Sequence, residues 1–114
     1  MEKKKLGILG GMGSEATVLF YKKIIDNTSV NNDREHLDIL VYNHASIPDR
    51  TECIFCGKQD YLWNIIAEDI RSMEKFGCEY FSIPCNTCHY FADRLQELTN
   101  GKFINMIEET ARYA

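Results

Sequence analysis

The alternation of short apolar runs with helical patterns constrains the fold of this 114-residue chain more than any other feature. The apolar runs, which are typical of buried strands, occupy residues 5–9, 37–42, 80–83 and 103–107. The helical patterns occupy residues 14–27, 60–76, 87–98 and a segment that begins at residue 108. Strands that alternate with helices form parallel sheets through right-handed crossovers. The order therefore predicts an α/β fold with a doubly wound, four-stranded parallel sheet.

The longest helical pattern has the clearest boundaries. Asp60 is predicted to cap it, and Gly77 is the expected stop after Phe76. Its predicted apolar stripe is Leu62, Ile65, Ile66, Ile70, Met73 and Phe76. Trp63 lies off that stripe, and residues 52–59 before the helix are predicted to be a loop.

Composition narrows the class of protein. The chain is 45% hydrophobic and 26% charged, as is usual for one small globular domain. The net charge is −4 and no basic cluster follows the opening lysines, so we expect no nucleic-acid partner. No apolar run approaches the ~18 residues that a membrane helix needs. The opening lacks the pattern of a signal peptide, and the five cysteines lack a secretory context, so we expect a cytoplasmic protein without a disulfide scaffold.

One cysteine stands where a predicted strand ends and a helix begins. Pro84 ends the strand, Cys85 follows it, and Asn86 and Thr87 offer a helix cap and hydrogen bonds to an anion. A helix N-terminus favours a thiolate, which is the reactive form of cysteine. Most buried cysteines are inert, however, and position alone leaves the two interpretations equally supported.

Two other loops are predicted at the same edge of the sheet. Glycines at 10, 11 and 13 join the first strand to a helix, where backbone N–H groups can bind an anion, although a plain tight turn is the simpler interpretation. Arg50 follows the second strand, and its planar guanidinium suits a carboxylate, although a solvated surface arginine is more common. Position alone does not decide either case.

Three stretches, in order, resemble the aspartate/glutamate racemase family. They are Leu6–Gly13, the Ile-Pro-Asp-Arg-Thr run at 47–51, and the Pro-Cys-Asn-Thr run at 84–87. The resemblance implies a racemase that uses neither pyridoxal phosphate nor metal, in which two cysteines exchange a proton on opposite faces of the substrate's α-carbon. It makes Cys85 one of those groups. It implies that the substrate, an acidic amino acid, is bound by Met12, Gly13, Arg50, Asn86 and Thr87.

The resemblance covers only about half of such an enzyme. Residues 1–107 match its first α/β half, and residues 108–114 are expected to begin a helix that leads to a second half related by an approximate two-fold axis. The family's second cysteine motif is absent, and Cys88 cannot replace it because residues three apart on a helix share a face. The chain is then either a truncation or a natural half. We expect a homodimer, and little racemase activity from residues 1–114 alone.

Two alternatives remain open. One is a cysteine-dependent racemase or isomerase of another carboxylic acid. The other is a non-catalytic zinc or redox module that uses the Cys-x-x-Cys pairs Cys53/Cys56 and Cys85/Cys88, although their separation is long for a zinc ribbon. The family usually has a small apolar residue where Cys88 stands. His89 is adjacent and is expected either to orient Cys85 or to cap, while Cys78 is expected in the core.

Overall fold

A computed structural model of the chain describes residues 5–28, 37–85 and 87–104. Within these ranges the sheet contains four parallel strands in the order β2-β1-β3-β4. The strands are β1 (Lys5–Gly10), β2 (Asp38–Asn43), β3 (Cys78–Ser82) and β4 (Lys102–Phe103). The helices are α1 (Ser14–Asn27), α2 (Arg50–Phe55), α3 (Gln59–Phe76), a 3₁₀ helix (Thr87–Phe91) and α4 (Ala92–Leu98). The predicted parallel α/β fold is therefore confirmed.

Strand β1 is central and pairs in parallel with both neighbours. Lys5 lies opposite Asp38 of β2 and, across a register shift, opposite Cys78 of β3. Successive residues of a strand point to opposite faces of the sheet. A Cβ on Gly10 would meet Thr17 of α1, whereas one on Gly7 would meet Met73 of α3. The helices accordingly cover both faces, as a doubly wound sheet requires.

The core lies between the sheet and the helices α2, α3 and α4. Its fully buried members include Leu9, Leu62, Ile66, Phe81, Ile83, Cys88, Phe91 and Leu95. On the other face α1 buries only Thr17 among its own residues. Helix α1 occupies the residues that its periodicity predicted. Ala16 and Leu19 on this helix are nevertheless exposed, and they border an open groove of about 600 Å³ that Pro84 also lines.

Several sequence predictions need correction. The predicted loop at 52–59 holds for residues 56–58 and is wrong for residues 52–55, because α2 occupies residues 50–55, a six-residue helix too short to show clear periodicity. Asp60 is not the cap of α3: Lys58 occupies that position and Asp60 lies in the first turn. Phe76 is on the predicted stripe but is 61% exposed, because it belongs to the last turn of the helix. Gly77 ends α3 as predicted, with a left-handed φ of 111°.

The segment after β3 also differs from its prediction. Strand β3 begins at Cys78 and ends at Ser82, and residues 87–91 form a tighter 3₁₀ helix before α4. Cys78 is buried in the core, as expected. Strand β4 is short, and the rest of the predicted strand at 103–107 and the helix from 108 lie largely outside the described residues.

No helix among the described residues is both long enough and apolar enough to cross a membrane.

Candidate active site

Three loops meet at one edge of the sheet. They follow β1, β2 and β3, which are parallel neighbours, so their carboxyl ends lie together. The loop after β1 carries Met12 and Gly13, the loop after β2 leads to Arg50, and Cys85 follows β3. The structure thus brings the predicted groups to a common edge.

The glycine loop after β1 is held by close backbone packing. Gly11 has a φ of 97°, and a Cβ there would lie 2.4 Å from the backbone carbonyl carbon of His44. A side chain is excluded on both counts. The amide of His44 donates to the Gly10 carbonyl at 3.0 Å, and the amide of Gly11 donates to Thr17 Oγ1 at 3.0 Å. Gly13 precedes α1 and has open space around it, so its contact with substrate stays a prediction.

Arg50 is placed by the cap of its own helix. The Asp49 side chain accepts a hydrogen bond from the Glu52 amide at 2.9 Å, which fixes α2 to begin at Arg50. The positive charge of the Arg50 guanidinium helps to lower the pKa of Cys85. Arg50 Nε is buried without a hydrogen-bond partner among the described residues. The side chain is therefore an inward-facing cation beside a thiol, not a solvated surface arginine.

Cys85 is partly buried and its sulfur is surrounded by donors. The thiol of Cys88 contributes most to lowering the pKa of Cys85 to about 5, with further contributions from the Cys88 backbone N–H and Arg50; burial opposes them. Cys85 is consequently more acidic than an ordinary cysteine thiol. The direction of the shift is the one expected from the sequence, but its largest cause is a neighbouring thiol.

Cys88 lies beneath Cys85 in the core. It is fully buried, and its sulfur donates a hydrogen bond to Met12 Sδ at 3.4 Å. The neighbouring Cys85, together with burial, raises the pKa of Cys88 far above the usual range of a thiol. Met12 is 5% exposed, so its side chain packs inward against Cys88. Contact between Met12 and a substrate stays a prediction.

The structure describes only some of the predicted site residues that follow Cys85. Thr87 begins the 3₁₀ helix and is partly buried, whereas Asn86 lies outside the described residues. The His89 ring contacts the Ile83 carbonyl through Nε2 at 3.2 Å and packs against Phe103. A carbonyl only accepts, so Nε2 carries the proton. His89 thereby ties the end of β3 to the 3₁₀ helix.

A histidine–aspartate pair beside the site was not predicted. His44 Nδ1 lies 2.6 Å from Asp69 Oδ2, and the Tyr42 ring stacks on the imidazole. These side chains line a cavity of about 360 Å³. Burial raises the pKa of Asp69, although His44 opposes the rise. The available signal was a carboxylate on the apolar face of α3, one residue before Ile70, since a buried carboxylate needs a partner.

The two Cys-x-x-Cys pairs do not form one cluster. Across the ranges that the structure describes, no three histidine, cysteine, aspartate or glutamate side chains are grouped as metal ligands. The cysteines are all free thiols, and Cys56 is exposed whereas Cys53 is buried. The geometry gives no support to the four-cysteine zinc alternative.

Comparison with known proteins places these features in context. A statistical model of the family described as Asp/Glu/hydantoin racemase matches residues 9–114. The chain is 27% identical over 111 residues to the broad specificity amino-acid racemase RacX of Bacillus subtilis (strain 168), a match that covers 94% of this chain and 48% of that protein.

Solved structures agree with this match. The Picrophilus torridus aspartate racemase superposes with a TM-score of 0.82 at 35% identity over 96% of this chain and 46% of its own. An aspartate racemase homologue from Pyrococcus horikoshii OT3 gives a TM-score of 0.76 at 24% identity over 96% of this chain and 48% of its own, a likeness of fold alone. The chain spans about half the length of the relatives that it matches.

Proposed function

The chain belongs to the Asp/Glu/hydantoin racemase family, and we propose that its Cys85 is one of the two acid/base groups of a cofactor-independent racemase of acidic amino acids. One observation carries the proposal: a partly buried thiol stands at the carboxyl edge of the sheet, where the charge of an inward-facing arginine helps to lower its pKa. An enzyme of this kind needs a base that is ionised at neutral pH and a cation that binds the substrate carboxylate.

The proposed step is a proton transfer at the α-carbon. The Cys85 thiolate removes the α-proton, and the electron pair remains on the substrate, delocalised into its carboxylate. The developing charge needs donors fixed before the reaction. Arg50 and Thr87 supply such donors in the proposal, and the loop at residues 10–13 closes one side. Asn86 has the same proposed role, although it lies outside the described residues.

The opposing proton donor has to come from another segment. Cys88 lies fully buried beneath Cys85, Cys53 is buried on α2, and Cys78 opens β3 at the opposite end of that strand. None of them faces Cys85 across a substrate. We propose that a second half-domain, or a second copy of the chain in a homodimer, supplies the second thiol. A monomer of residues 1–114 is then expected to exchange little α-proton.

Arg50 supports a substrate with a carboxylate, which every amino acid has, and the acidic class is proposed from the resemblance to the aspartate/glutamate racemase family. A guanidinium beside the base favours a substrate with a carboxylate. One relative is an aspartate racemase, and another is a racemase of broad specificity. We propose acidic amino acids first and another carboxylic acid, handled by the same cysteine chemistry, second.

A chimera, in which this chain replaces half of a known racemase, tests the proposal. Residues 1–114 replace the matching half of the Picrophilus torridus aspartate racemase, with which they share 35% identity. The folded chimera is expected to exchange the α-proton of L-aspartate with solvent deuterium and to form the D-enantiomer. Cys85→Ala should lower the rate by at least about 10³-fold, since it removes the base. Cys56→Ser, at an exposed position outside the site, is the matched control and should preserve the rate.

A folded, active chimera that keeps its rate after Cys85→Ala would contradict the proposal. Substrate protection provides a test in residues 1–114 themselves. L-aspartate and L-glutamate should slow the alkylation of Cys85, and L-alanine should not; protection by L-alanine alone would remove the acidic substrate class. Sedimentation of the same sample, followed by the deuterium assay, tests the dimer: substantial exchange by a strict monomer would overturn the requirement for two cysteines.

A further inference from the structure

His44 joins three segments of the chain beside the candidate site. Its amide donates to the Gly10 carbonyl at 3.0 Å, and its carbonyl accepts from the Ile47 amide at 3.3 Å. A Cβ on Gly11 would lie 2.4 Å from the carbonyl carbon of His44, so the two backbones pack directly against each other. The side chain of His44 reaches α3, where Nδ1 lies 2.6 Å from Asp69 Oδ2. One residue thus connects the loops after β1 and β2 to α3.

Asp69 is a buried carboxylate whose partner is His44. Only 7% of Asp69 is exposed, on a helix that also buries Ile66 and Ile70, and a carboxylate in such a place is costly unless it is hydrogen-bonded. An ionised carboxylate only accepts, so Nδ1 of His44 donates to it whether the imidazole is neutral or cationic. The Tyr42 ring stacks on the imidazole, with ring centroids 4.9 Å apart and an interplanar angle of 10°. These two contacts fix the position of the imidazole.

The loop that begins at His44 leads directly to Arg50. Between them, Ile47 is buried in the core, and the Asp49 side chain caps α2 by accepting from the Glu52 amide. A short loop with these attachments has little freedom while His44 is fixed. Arg50 Nε is buried without a hydrogen-bond partner within the described ranges. No hydrogen bond at Nε holds the side chain, so its position depends on the backbone that carries it.

We propose that Asp69 and His44 are positioning residues for Arg50: the buried carboxylate fixes His44, and the loop that is held in this way directs Arg50 inward at the candidate site. Loss of the contact frees the loop from α3 and leaves the groups that bind or react in the chain. The link to catalysis rests on the proposed function, in which Arg50 binds the substrate carboxylate. Neither positioning residue makes or breaks a covalent bond during the reaction.

The test follows the burial of Arg50 in residues 1–114 by NMR. The probe is an inert gadolinium chelate, which increases the relaxation rate of protons that solvent reaches, and Arg50→Lys assigns the Arg50 Nε–H signal by removing it. In the parent this signal should be protected, whereas that of Arg71, exposed on α3, should not. Asp69→Ala should raise the enhancement at Arg50 at least halfway to that at Arg71. Asp69→Asn keeps an acceptor oxygen for His44 and should raise it less.

Two further variants separate positioning from a general loss of stability. Glu68→Ala removes the adjacent, exposed carboxylate and should leave Arg50 protected. Leu95→Ala lowers the stability of the core from α4 and should also leave Arg50 protected in the folded molecules. Protection of Arg50 in folded Asp69→Ala, or an equal exposure in Leu95→Ala, would overturn the inference. If Asp69→Ala does not fold, His44→Ala removes the partly exposed partner and should expose Arg50 to the same extent.

Kinetics of the racemase chimera give a second measurement. Asp69→Ala should lower kcat/KM by about tenfold, because a misplaced binding group loses much of its effect. In an Arg50→Ala background the same substitution should change kcat/KM by less than about twofold, since Arg50 is no longer there to be positioned. Equal losses in the two backgrounds would contradict a role through Arg50.

The inference and the proposed function can fail separately. Exposure of Arg50 in Asp69→Ala, together with a chimera that does not racemise, would keep the positioning role and reject the proposed function. A chimera that racemises through Cys85, with Arg50 still protected in Asp69→Ala, would do the reverse.

Discussion

The pairs Cys53/Cys56 and Cys85/Cys88 have the same spacing and different surroundings. Cys53 is buried in the apolar core on α2, and Cys56 is exposed just after that helix, where its amide donates to the Glu52 carbonyl at 2.9 Å. Cys85 is partly buried beside a guanidinium, and Cys88 is fully buried under it. The difference teaches that the pKa of a thiol depends on its place in the fold and on its neighbours, since the spacing within the two pairs is identical.

Helix α2 contributes to both pairs. Its first residue, Arg50, acts on Cys85, while Cys53 faces the core and Cys56 follows the last turn. The short helix that the sequence did not predict is therefore the element that gives the second pair its cation. Substitutions at Arg50 and at the cysteines therefore test whether these neighbours cause the difference between the two cysteine pairs.

The largest expected effect comes from removing the cation. In the racemase chimera, Arg50→Ala should lower kcat/KM by about 10²–10³-fold, because both the thiolate and the substrate carboxylate lose a charged donor. Arg50→Lys should recover part of the loss, since it keeps the charge without the planar fork. Arg71→Ala, at an exposed position on α3, is the control. Steady-state kinetics checks the prediction, and an Arg50→Ala chimera with parental kcat/KM would contradict it.

The second-largest expected difference between the pairs is in the pH dependence of the free energy of unfolding. The folded pKa of Cys85, about 5, is below its unfolded value of 9.0, so the unfolded chain binds more protons between these limits. The contribution of Cys85 to the free energy of unfolding is present above pH 9 and is lost as the pH falls towards 5. Urea denaturation should show the parent gaining on Cys85→Ala by at most about 1.4 kcal/mol per pH unit in this window.

Cys56→Ser supplies the control for that linkage. It leaves Cys85 and its donors in place, so its unfolding free energy should follow the parent's pH dependence. A parent and a Cys85→Ala variant with parallel curves between pH 5 and 9 would show that the Cys85 thiolate is not preferentially stabilised by folding.

The smallest expected effect is the difference in stability between serine variants of the two buried cysteines, Cys53 and Cys88. Cys53→Ser places a hydroxyl in the apolar core, and Cys53 has no side-chain hydrogen bond within the described ranges, so we expect a loss of about 1–3 kcal/mol. Cys88→Ser should lose less, because Cys85 and Met12 remain as acceptors. Denaturation at pH 7 measures both. A greater loss in Cys88→Ser than in Cys53→Ser would mean that the Cys88 sulfur stabilises the fold mainly through its packing volume.

The sequence predicted what local pattern and strand order control. Alternation gave the parallel sheet, periodicity gave α1 at residues 14–27, and Gly77 marked the end of α3. It did not predict α2, because six residues carry too little periodicity, although Asp49 followed three residues later by Glu52 is a helix-start signal.

Tertiary contacts explain the rest. The placement of Arg50 against Cys85, of Cys88 against Met12, and of His44 against Asp69 depends on loops that are distant in sequence. No local propensity encodes such pairs. The resemblance to the racemase family selected Cys85 and Arg50, but it did not select Cys88.

The central position of β1 also governs the order in which the chain can complete its sheet. Residue 5 pairs with residue 78, so one edge of β1 stays unpaired until more than 70 further residues of the chain have been placed. Closing so long a loop makes parallel pairing slow, and an unpaired apolar edge is a template for other chains. Until β3 arrives, Leu6, Ile8 and Leu9 present such an edge, and they are buried once the sheet is complete. We therefore expect competition between folding and aggregation to depend on the pairing of β1, the strand that leads into the candidate site.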